Sequence, residues 1–94
     1  MDLNKIIVEP QPTRNGSKLR TWFVKYHGTV IGYLEKYRPE KGYIHPWKAF
    51  AVDGAASMRP NTMLGVYYDA EHGGNANAKQ KAIAAVIIRH QAVN

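Results

Sequence analysis

One segment of this chain, from about Asn77 to about Gln91, carries helical periodicity, and it follows five short runs rich in β-branched and aromatic residues. That order constrains the fold more than any other feature. Short β-runs build a pleated layer, and a single helix can cover only one side of it. The helix reading rests on two local signals. Asn77 followed three residues later by Gln80 matches a capping box, in which each side chain satisfies the other residue's free N–H. Ile83, Val86, Ile87 and His90 then supply an apolar face at i, i+3, i+4, i+7 spacing.

The strands are read from composition and punctuation. "NKIIVE" (4–9) is a β-rich run ended by "PQP", and "TRNGSK" (13–18) contains Asn-Gly and predicts a turn. "LRTWFVKYH" (19–27) and "VIGYLEKY" (30–37) flank Gly28 and Thr29 closely, which predicts a hairpin. Pro39 and Pro46 in "RPEKGYIHP" exclude a continuous ladder there. "WKAFAV" (47–52) and "MLGVYY" (63–68) complete the set. The fold predicted is α+β: an antiparallel sheet of four or five strands with one C-terminal helix packed on one face. Ninety-four residues make a single domain, 1–94.

Alternation assigns faces to the strands. Trp22, Val24 and Tyr26 share one side of strand two, with Thr21, Phe23 and Lys25 on the other. In strand three, Val30 and Leu34 oppose Ile31, Tyr33 and Tyr37. Since neither strand is cleanly apolar on one side, the face away from the helix must carry aromatic surface. Trp22 and Trp47 read as core anchors.

Several classes are excluded by what is missing. The chain has no cysteine, so a disulfide framework and a thiolate metal site are ruled out. Its longest apolar run, "AIAAVII" (82–88), falls far below the ~20 residues that span a bilayer. The opening "MDLNKIIVEPQP" lacks the pattern of a secretory signal. The expectation is a soluble, cytoplasmic protein, of a bacterium or its phage.

Charge is unevenly placed. From Arg14 to Lys48 there are eight basic residues against Glu35 and Glu40, and the five basic and five acidic residues elsewhere cancel, so the whole net charge of +6 lies in that window. Such a window suits a polyanion. The candidates are Arg20, Lys25, Lys36, Arg38, Lys41 and Lys48 for phosphates, with Tyr33, Tyr37 and Tyr43 as aromatic partners. The alternative for the same residues is structural: tyrosines suit half-buried strands, and lysines protect solvent edges.

Other constellations lead less far. In "GGNANAKQ" (73–80), Gly73 and Lys79 fall in register with a phosphate-loop pattern, but Ala78 replaces its second glycine and Gln80 its magnesium-binding hydroxyl. Nucleotide hydrolysis is rejected on those grounds. Lys79 and Lys81 nevertheless lie in the first helical turn, where the dipole disfavours cations and an anion bound at the N-terminus would offset the cost. Two solvent-exposed lysines tolerated at small cost are the simpler account. His27, His45, His72 and His90 have no short ligand spacing, so no metal or cofactor is expected. Asp69 with Glu71, and Ser17 and Ser57, lie in loop and turn positions that suggest no catalytic set.

Taken as a set, "WFVKYHGTVIGYLEKY" (22–37), "WKAFAV", "LGVYY" (64–68) and the Ala-rich helix resemble the three-stranded-sheet-plus-helix DNA-binding domains. These are the arm-binding type of tyrosine integrases and the plant ethylene-response type, found also in small phage and plasmid accessory proteins. The resemblance covers residues 22–91. It implies a sheet laid into the major groove with the helix behind it. The function expected is therefore non-enzymatic duplex-DNA binding through a basic, aromatic-bearing sheet face. The alternative is a protein-interaction module, such as a phage-encoded modulator of a host protein, anchored by the same tyrosines.

Overall fold

The computed structural model describes residues 2–38, 45–52, 62–69 and 77–93. Strands β1 (Ile6–Pro10), β2 (Leu19–Tyr26), β3 (Thr29–Tyr37), β4 (Trp47–Ala51) and β5 (Thr62–Tyr67) form one sheet in the order β1-β2-β3-β4-β5. Every neighbouring pair is antiparallel. Helix α1 (Ala78–Val93) packs across β3, β4 and β5. The α+β architecture expected from the sequence is the one observed, with five strands rather than four.

Local chemistry explains the joints. A short 3₁₀ turn, Leu3–Lys5, precedes β1, and the Asp2 carboxylate caps it by accepting from the Asn4 N–H at 3.0 Å. The tight turn between β2 and β3 is His27-Gly28, with φ of 50° and 79°, one residue earlier than predicted. Two positive φ values at the centre of a two-residue loop match the twist of the strands they join. At the start of α1, the Asn77 carbonyl accepts the Lys81 N–H at 2.8 Å, as an N-cap residue does.

Two bulges rearrange the faces. Val24 pairs with Gly32 and Lys25 with Val30, so Ile31 is the extra residue on β3. Ala49 pairs with Gly65 and Phe50 with Met63, which makes Leu64 the extra residue on β5. Both extra residues turn to the helix side, where Ile31 is buried and Leu64 packs on the core. The face expected for strand three is therefore corrected: Ile31 joins Leu34, and Val30 moves over to the side of Tyr33 and Tyr37.

The core lies between the sheet and α1 and contains Val24, Ile31, Leu34, Trp47, Ala49, Ala78, Ala82 and Val86. Trp22, expected as a core anchor like Trp47, is half-buried at its margin. The helix docks through Ala78, Ala82 and Val86 with Ile83 packed beside them, so the expected stripe holds at Val86 and Ile83 while its centre shifts to the alanines. The reason is steric. Gly32, Ala49 and Ala51 leave the sheet shallow beneath the helix, and only small side chains on α1 allow so close an approach.

Candidate nucleic-acid interface

The pairing register decides which side chains share a face. Opposite the helix, Glu9, Phe23, Tyr33, Phe50 and Met63 form one row across all five strands. Tyr33 and Phe50 stack with ring centroids 4.7 Å apart and planes 10° from parallel. The next row is Thr21, Glu35, Lys48 and Val66. Tyr37 lies beyond it, exposed, its ring 5.3 Å from that of His45. Aromatic surface thus occupies the open face, as the lone-helix argument requires.

Charge on that face is balanced. Lys25 Nζ donates to both carboxylate oxygens of Glu9 at 3.2 Å. Lys48 lies directly across from Glu35. Among the described residues of this face, two cations meet two carboxylates.

The remaining cations gather elsewhere. Arg20 and Lys36 face each other across β2 and β3 on the helix side, toward the end that α1 approaches with its N-terminus. Lys36 Nζ lies 5.1 Å from the centroid of a Trp47 ring and donates to the Asp69 carboxylate. Lys79, in the first turn of α1, holds its ammonium 5.4 Å from Trp22 and 5.6 Å from Trp47. The two indoles are themselves in contact, with centroids 4.8 Å apart. This is a cation–π cluster: two ammonium groups share an aromatic pair whose electron-rich faces attract both.

Further along the same strand ends, the Arg38 N–H donates to the Lys18 carbonyl at 2.7 Å, which ties the start of β2 to the end of β3. A depression of about 400 Å³ opens there, lined by the β1–β2 loop and Arg38, with Arg14 and Lys18 in its wall. The loop holds its shape through Ser17 N–H to the Arg14 carbonyl at 2.8 Å, Gly16 at φ 81°, and Leu19 N–H to the Ser17 hydroxyl at 3.2 Å. A second hollow, about 260 Å³, adjoins it and runs between Thr13, Arg20 and Trp22.

The predicted phosphate set is therefore divided. Arg20, Lys36 and Arg38 come together with Arg14, Lys18 and Lys79 at one end of the helix side. Lys25, Lys48, Tyr33 and Tyr37 lie on the opposite face. Lys81 is exposed on α1, while Lys41 and Tyr43 fall outside the described residues. Arg14 and Lys18 belong to the charged window but were not among the expected contact residues. Their signal was the Asn-Gly turn between them, which folds two cations four residues apart onto the end of the sheet. At this end Lys36 pairs with the Asp69 carboxylate, and Lys18 is likewise engaged.

The described residues contain no group of three or more His, Asp or Glu able to hold a metal ion. Nor do they include a helix long and apolar enough to cross a membrane. Comparison with protein-family models, with curated proteins and with solved structures gave no match. The chemistry of the surface is thus argued from its own residues.

Proposed function

We propose that this chain is a non-enzymatic, cytoplasmic protein that binds duplex DNA through the basic end of its helix-bearing side. The observation that carries the reading is the gathering of Arg14, Lys18, Arg20 and Arg38 along the two hollows, with Lys36 and Lys79 beside them on the Trp22–Trp47 pair. Cations so concentrated release counterions when phosphates replace them, and that release drives binding. Duplex is favoured over single strands by the state of the aromatics. Stacking of bases needs free ring faces, and here Trp22 and Trp47 are occupied by each other and by two lysines. The resemblance to sheet-plus-helix DNA-binding domains favours the same ligand, with the contact surface moved to where the unbalanced charge lies.

The test is the affinity for random-sequence duplex as salt is varied, read by fluorescence anisotropy. Five engaged phosphates give a log–log slope of about −4.5, or roughly 500-fold between 50 and 200 mM salt. Arg20→Ala and Arg38→Ala should each flatten the slope by ~0.9, while Lys25→Ala and Lys48→Ala leave it unchanged. Absence of binding at low salt, or equal effects of all four substitutions, would refute the proposal.

A further inference from the structure

We infer that the open face of the sheet is a docking surface for a second copy of this chain. Four large apolar side chains on it stand in solvent: Ile7 is 56% exposed, Met63 53%, Tyr37 43% and Val66 41%. They surround the half-buried Phe23, Tyr33 and Phe50 at the centre of the face. Apolar surface gathered into one continuous patch, rather than scattered singly, marks an interaction site.

Charge selects the occupant. The molecule carries +6, yet the described residues of this face, Lys25 with Glu9 and Lys48 with Glu35, balance one another. A strongly acidic partner would find its complement at the basic end, not here. On the described residues of the open face, a second copy finds a broad surface at which two cationic molecules do not repel. The ion pairs are also self-complementary, because lysine and glutamate alternate on the face and each can meet its opposite on the other copy.

Size and relief fit this occupant. Five strands spaced ~4.8 Å apart, each about seven residues long at ~3.3 Å, give a footprint of roughly 500–600 Å². The corrugated accessible area over it approaches the ~800 Å² per partner of a specific interface. At one end, Leu19, Tyr37, Pro46 and Phe50, rimmed by Glu35, His45 and Lys48, line a recess of about 140 Å³. A hollow of ~150 Å³ holds a benzene-sized group, so the recess can accept one exposed apolar side chain from the facing sheet. Two sheets packed ~10 Å apart in this way form a sandwich. Both helices lie on its outside, and both basic ends stay in solvent.

Sedimentation equilibrium of the full chain from about 1 to 200 µM, without DNA, tests the idea. The expected result is a reversible monomer–dimer equilibrium around the 10.6 kDa monomer. The double substitution Tyr37→Glu with Val66→Glu, both at exposed positions, should weaken association at least tenfold. Its circular dichroism should be unchanged, and it should keep the salt-dependent DNA binding of the monomer. A chain that stays monomeric at every concentration overturns the inference, as does a double variant that dimerises as the native chain does. A variant that loses dimerisation only because it has lost its fold is recognised by its spectrum. Ile7→Lys, at a position 56% exposed on the same face, then replaces it, with the same two readings.

Discussion

Replacing Gly32 by alanine tests the placement of the helix, and with it the identity of the open face. A Cβ at this position would stand 2.5 Å from the Phe50 carbonyl oxygen and 2.5 Å from Val86 Cγ1, with Val86 Cγ2 at 3.1 Å. The valine is fully buried. The carbonyl belongs to the paired β4 backbone and has no rotamer to escape into. Overpacking of this kind costs ~1–3 kcal/mol, offset by ~0.4–1 kcal/mol because alanine has less freedom than glycine to lose on folding. The net loss is about 1–2 kcal/mol, which lowers Tm by ~4–16 °C for a domain of this length. Thermal unfolding by circular dichroism reads it directly. Val86→Ala removes two of the three clashing atoms, so the double variant should fall short of the summed single losses by ~1 kcal/mol. A Gly32→Ala variant as stable as the native chain, or strict additivity with Val86→Ala, would show that α1 does not press on β3 at this point.

Two further substitutions separate stability from binding. Asp69→Asn removes the carboxylate that pairs with Lys36, whose side chain is only 17% exposed. It should lower stability by ~1–2 kcal/mol, less than a fully buried pair would lose because of solvent screening. The same change should strengthen DNA binding at low salt, and a parallel fall in both would refute the assignment of Asp69 as a charge that opposes binding at this end. Lys79→Ala gains ~0.3–1 kcal/mol by relieving the helix dipole, but loses contact with two indoles, each worth ~0.5–1 kcal/mol. The expected balance is a loss of about 0.5 kcal/mol in denaturant unfolding. A gain would mean that the ammonium group is not held over the Trp22 and Trp47 rings.

Element types were legible in the sequence because each is specified locally. Gly28 marked the hairpin, Pro46 marked the residue before β4, and Asn77 marked the start of the helix. The bulges were not legible. An extra residue at Ile31 or Leu64 changes no composition, and it only inverts an alternation whose phase is known once the strands are paired. The buried stripe of α1 was legible at Ile83 and Val86 but not at its alanines, for a related reason. Ala78 and Ala82 carry little hydrophobic signal, and their importance comes from the shallow floor formed by Gly32, Ala49 and Ala51. The charged window was correctly seen as a unit along the chain. Its division between faces depends on parity: Lys25 and Lys36 differ by one step in the pleat, and that step places one beside Glu9 and the other above Trp47.

The strand order also sets when the molecule can become compact. Each strand pairs with the one made just before it, so the ladder can extend strand by strand through contacts close in sequence. Its inner surface, including Val24, Leu34 and Trp47, has no lid until residues 78–93 have been synthesised. A nascent chain halted before that point would be a sticky curved ribbon, greasy on both sides, and a natural client for chaperones.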